Sequence, residues 1–193
     1  LDNGLRVLLK RNPAVPLVNM QFYVLGGLLD ETEANNGLTN LMARLSMKGT
    51  THYSAQQIVD YFDGVGGELS TGCGNNTFFY RAEVMRGDWA AAFDIYREVI
   101  LEPNFPEAEL AKLKEQVSAA IKQVKDSWPA EAARFFQEKF FVNSPYRRTI
   151  LGTAESAAGI SREQIVACRR EALAAQRAVL AIFGDIDVEA TEK

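Results

Sequence analysis

Apolar segments of this chain come in two kinds, and their order along the sequence is the strongest constraint on its fold. Residues 5–11, LRVLLKR, and 17–27, LVNMQFYVLGG, carry the alternating, β-branched and aromatic content of strands. NPAVP between them is a turn, because two prolines without N–H groups cannot continue a ladder. An acidic polar loop, DETEANN, follows, and the apolar period then changes from two to three or four. Leu38, Leu41, Met42 and Leu45 mark a short amphipathic helix with one buried face, ending at Gly49. SAQQIVDYFDGVGG (54–67) is a second helix, capped by Ser54, with Ile58, Tyr61 and Phe62 on one face and glycines at its end. ELSTGCGNN and TFFYRAEV make a hairpin that turns near Gly74-Asn75-Asn76. A block of helices comes next. GDWAAAFDIYREVILEP is capped by Asp88 and stopped by Pro103, and the long FPEAELAKLKEQVSAAIKQVKDSW has Pro106 near its first turn. PAEAARFFQEKFF and SREQIVACRREAL complete the block, and RAVLAIFGDID returns as a strand. Paired strands with helices in blocks predict an α+β class and a single domain over residues 1–193, not a regular β-α-β alternation.

The 193 residues, 47% hydrophobic and 24% charged, suffice for the core of one large domain. A formal net charge of −4 offers no basic footprint for a phosphate backbone, so no nucleic-acid partner is expected. No run of about eighteen apolar residues is present, so no membrane span is expected. LDNGLRVLLKRNP is too charged, and too short in its apolar part, for a signal peptide. The chain begins without Met and stops at DIDVEATEK, which reads as a strand leaving for a further element; it is expected to be a piece excised from a longer protein. Cys73, Cys168 and the single histidine, His52, are too few for a Cys₄ or Cys₂His₂ zinc site. The two cysteines read as partly buried thiols, with a disulfide between them as the alternative.

One order of landmarks is specific. LDNGLRVLL precedes a strand ending in Gly-Gly, an acidic patch, GLTNLMARLSMKGT, a helix ending in Gly-Gly and a strand pair; NSPYRRTILGT and AVLAIFGDID follow. In this order the chain resembles, from residue 1 to about 189, the amino-terminal domain of the pitrilysin, insulinase and mitochondrial processing peptidase family. That resemblance implies a mainly antiparallel sheet packed against several helices. In active members the helix before K-G-T carries H-x-x-E-H, whose histidines, one turn apart, hold Zn²⁺ while the glutamate activates its water. A glutamate on a later helix completes the coordination. Carried over by position, the histidines fall on Asn40 and Arg44, the catalytic glutamate on Ala43, and the last ligand on Ala120 or its neighbour Ile121. None of these can replace the missing group. The resemblance therefore implies a non-catalytic metallopeptidase-like domain without zinc of its own, with zinc only in a partner domain or subunit. Its partners would be a catalytically competent homologous half or subunit and an extended peptide, and a dimer is among the assemblies implied. The compartments implied are the bacterial periplasm or cytoplasm, or the mitochondrion. The alternative is a purely structural or assembly subunit with no peptide contact.

Several residues carry two readings. Asn40 and Arg44 read first as the solvated or interface side of their helix; facing a chamber, Arg44 would bind a carboxylate. His52 reads as a surface residue. In the family resembled, the strand at ELSTGCGNN lies at the sheet edge and holds substrate through main-chain hydrogen bonds. Ser70, Thr71, Gly72 and Cys73 are therefore the candidate peptide-binding residues, with small side chains at Ser70, Thr71, Gly72 and Gly74 allowing close approach. An ordinary glycine-rich hairpin is the other reading. Arg147-Arg148 reads as a solvated turn, Trp89, Phe93 and Tyr96 as core, and Asp185 and Asp187 as turn-formers rather than a cation site. The glycine pairs lack a nucleotide-loop context.

Overall fold

The structure, a computed structural model, describes residues 1–191. Five strands form one sheet: β1 (Arg6–Arg11), β2 (Leu17–Leu25), β3 (Glu68–Cys73), β4 (Thr77–Met85) and β5 (Ala178–Gly184), in the order β1-β5-β2-β4-β3. β5 runs parallel to β1 and antiparallel to β2; β2–β4 and β4–β3 are antiparallel. The mainly antiparallel α+β expectation thus holds. The first and last strands of the chain meet side by side, so the two ends of the described chain share one sheet.

Alternation in β4 shows which face is covered. Phe78, Tyr80, Ala82 and Val84 are buried, while Phe79, Arg81 and Glu83 point to the other face. On that open face Tyr23 lies 5.4 Å from Phe79, centroid to centroid, as a cross-strand pair, and Asn19 donates to Glu83 at 2.7 Å. The helices supply the second layer: α1 (Leu38–Ser46), α2 (Ala55–Gly64), α3 (Trp89–Leu101), α4 (Glu107–Asp126), α5 (Trp128–Phe140), α6 (Ala154–Gly159), α7 (Arg162–Ala172) and α8 (Val188–Thr191). Among the described residues no helix is long and apolar enough to cross a membrane.

α1 is not the one-faced helix its apolar period suggested. Eight of its nine residues are buried, because it packs against α4, α7, β3 and β4 together. Only Arg44 keeps partial exposure. Local chemistry explains most boundaries. Ser54 with Gln57, and Ser161 with Gln164, form capping boxes at α2 and α7. Asp88 sits before α3 with φ −106° and ψ −5°, and its carboxylate does not cap, contrary to expectation. Pro106 immediately precedes α4, next to its first turn, as expected. α6 was not foreseen; its six residues are too few for a period, and Thr153 with Ser156 nucleates it through a further capping box. The segment beyond β5 is a correction too: it does not leave as a strand, since β5 ends at Gly184 and Val188–Thr191 make a helical turn.

Candidate functional site

The loop that enters α1 is held from outside the helix. Gly37 occupies the N-cap at φ 97° and offers no side-chain acceptor. Glu31 supplies one instead. Its buried carboxylate accepts from the Gly37 amide at 2.8 Å, the Thr39 amide at 2.8 Å and the Asn36 side chain at 2.9 Å. A carboxylate there also meets the positive end of the helix dipole. Asn36 then reaches the Thr149 carbonyl at 2.9 Å, and the Asn36 carbonyl accepts from Ser156 Oγ at 2.8 Å. The NSPYRRTILGT segment is thereby clasped to the start of α1. Gly152, at φ 76°, lets that clasp close, since a Cβ would overlap the Asn36 carbonyl oxygen. Arg148 belongs to the same joint and is not a solvated turn residue. Its side chain is 12% exposed, Nη2 donates to the Leu28 carbonyl at 3.2 Å, and Nε is buried without a hydrogen-bond partner among the described residues.

On α1 itself, Asn40 and Ala43 are buried, so the solvated-face reading is wrong for Asn40. The Asn40 amide nitrogen has no hydrogen-bond partner among the described residues. Arg44 lies one turn further along, and its Nη2 donates to Gln116 Oε1 of α4 at 2.9 Å. Gln116 is one turn before Ala120, which is half-buried, as is Ile121. The two helices that carry the four positions are thus packed together. Their donor set does not fit zinc: an amide, two methyl groups and a fixed cation supply neither ligands nor a base. Among the described residues no three His, Cys, Asp or Glu side chains converge into a metal-binding group.

Among the described residues β3 is hydrogen-bonded only to β4, so its other edge is unpaired. Beside Gly67–Thr71 of that edge lies a groove of about 440 Å³ between α1, α2 and α4. The four candidate residues on β3 differ in character. Ser70 and Thr71 line the groove, and the Thr71 hydroxyl donates to the Phe79 carbonyl at 2.6 Å. Gly72 is opposite Phe79, whose ring fills the space a Cβ would take, so part of its smallness serves the hairpin itself. Cys73 turns toward the core, and burial, with Glu31 nearby, pushes its thiol up to about 12. Burial with the same glutamate takes Cys168 to about 11. Both thiols are free, and neither favours a thiolate at neutral pH.

His52 is exposed but not alone. Its Nδ1 lies 3.0 Å from Glu98 Oε1, while Thr50 Oγ1 donates to Glu98 Oε2 at 2.9 Å. This partner is 46 residues away in sequence, which is why the neighbourhood of His52 did not reveal it. Burial raises the Glu98 carboxyl, but the hydrogen bonds from Thr50 and His52 outweigh it and hold the group below the usual carboxylate range. Asp185 pairs with Arg86 at 2.8 Å and Asp187 accepts from the Ala190 amide at 3.2 Å, so these two carboxylates have structural work.

With this geometry in hand, comparison with known proteins is decisive. The sequence profile described as insulinase, peptidase family M16, matches residues 6–154. The chain belongs to that family. An uncharacterized zinc protease of Bacillus subtilis, YmxG, is 27% identical over 185 residues, covering 96% of this chain and 45% of that protein. An Arabidopsis thaliana protein named as a probable mitochondrial-processing peptidase subunit beta is 22% identical over 98% of this chain and 36% of its own length. Among solved structures, one described as a peptidase M16 inactive domain from Pseudomonas fluorescens superposes with a TM-score of 0.93 at 22% identity, over 98% of this chain and 46% of that one. A protease from Helicobacter pylori gives 0.88 at 16% identity, over all of this chain and 47% of that one. The two superpositions establish the M16 fold. The chain spans less than half the length of each of these proteins, and no H-x-x-E-H occurs in it.

Proposed function

We propose that this M16 domain is a non-catalytic wall of a peptide-binding chamber, which supports a catalytically competent homologous half or subunit. The observation that carries the reading is a contrast between neighbours. The free edge of β3 and the groove beside it are intact, whereas Asn40, Ala43, Arg44 and Ala120 offer no group that could bind or activate a metal. Pairing along a strand edge uses main-chain N–H and C=O groups, so it survives the loss of catalytic side chains. A peptide is then held here and cut elsewhere, at a zinc supplied by the partner. Amide hydrogen exchange tests this. A long unstructured peptide should slow exchange on β3, within residues 68–73; unchanged exchange at saturating peptide would remove the chamber role.

A second reading, assembly without peptide contact, has its own support. α5 contributes no buried residue and exposes Trp128, Phe135, Phe136 and Phe140, the last two with rings stacked 5.0 Å apart. Such an exposed aromatic face suits docking onto a partner. The two roles are compatible, and the exchange experiment separates them: protection confined to α5 by a homologous half, with none on β3, favours assembly alone.

A further inference from the structure

The groove beside β3 has a charge pattern that points to the peptide it selects. Arg44 is the one residue of α1 that escapes full burial, and it lines this groove together with Lys48. The bond to Gln116 fixes the guanidinium while occupying one of its five N–H donors. Neither cation has a carboxylate within ion-pair distance among the described residues. Asp63 and Glu68 line the same groove, but they are exposed and belong to α2 and the first position of β3. The cations therefore occupy only the wall made by α1 and the residues just beyond it. A strand added to β3 sends alternate side chains to the helix side of the sheet, where this groove lies.

We propose that the groove is a selectivity pocket for an acidic side chain, an aspartate or glutamate of a peptide strand paired with β3, clamped by Arg44 with Lys48 in support. This rests on the chamber reading and goes beyond it by naming the substrate class. A guanidinium held by a neighbour at a half-exposed site suits a carboxylate, which it meets through two parallel N–H bonds. The position that would hold a zinc-binding histidine in an active relative thus carries an anion-recognising cation here.

The test uses fluorescein-labelled extended peptides that differ only by Glu, Gln or Lys at one central position, titrated by anisotropy against the protein. The Glu peptide should bind about tenfold tighter than the Gln peptide, an advantage that shrinks at high salt. Arg44→Gln should remove most of the preference, weakening the Glu peptide far more than the Gln peptide, and Arg44→Glu should invert it toward the Lys peptide. Circular dichroism verifies that both variants fold, and Lys48→Gln provides a milder change on the same wall, expected to reduce the preference partially. Equal affinities for Glu and Gln peptides, both bound, overturn the selectivity and leave the chamber role standing. No binding by any peptide overturns both.

Discussion

The Glu31 carboxylate accepts a hydrogen bond from the Gly37 amide at 2.8 Å, so the buried first turn of α1 is capped from a loop six residues upstream. Two further donors, the Thr39 amide and the Asn36 side chain, converge on the same group. Glu31→Gln places an N–H₂ where an acceptor is required and leaves a buried amide unpaired. It should cost about 2 kcal/mol in urea unfolding and lower Tm by several degrees. An unchanged midpoint would show that the cap is dispensable.

Gly152 and Gly159 make a paired comparison. At Gly152 the backbone is left-handed and a Cβ would strike the Asn36 carbonyl, so Gly152→Ala should destabilise by about 3 kcal/mol or more. Gly159 ends α6 with nothing within 4 Å, and Gly159→Ala should be neutral or stabilise by about 0.5 kcal/mol. Thermal unfolding of the two variants, run side by side, checks the sign of each.

Glu98 predicts a pH dependence. Its folded carboxyl titrates below the unfolded value of about 4.3, so its stabilising contribution is complete above that value. The contribution is lost as pH falls through the folded value. The stability gap between the wild type and Glu98→Gln should therefore be full at neutral pH and shrink below about pH 4. His52→Ala should narrow the gap as well, since it removes one of the bonds responsible. A gap independent of pH would mean that the folded state does not hold the Glu98 carboxyl below its unfolded value.

How far the sequence spoke depended on the range of the interaction. Helices with their own caps were legible: Ser54 and Ser161 announced α2 and α7, and the Gly74–Asn76 turn announced the β3–β4 hairpin. The order of landmarks identified the family, and with it the edge position of β3. Contacts between distant segments were not legible. Glu31 looked like part of a polar loop because its donors lie at and just before the start of the next helix, and the Arg148 side chain donates to a segment 120 residues away. The burial of Asn40 escaped notice for a related reason. A 3.6-residue period shows one apolar stripe, but α1 is enclosed by two helices, α4 and α7, and by the sheet, so its polar positions are buried too.

The central claim is that the two packed helices keep the scaffold of a zinc peptidase and have lost its donors. Zinc titration with a fluorescent chelator as competitor, on the wild type and on Asn40→His/Ala43→Glu/Arg44→His/Ala120→Glu, addresses it most directly, with peptide hydrolysis recorded in parallel. Ile121→Glu replaces Ala120→Glu in a second variant to cover the neighbouring register. The account predicts no specific zinc and no cleavage for the wild-type chain, and one bound zinc for a restored variant. A wild-type chain that holds one zinc tightly and hydrolyses peptide would contradict it.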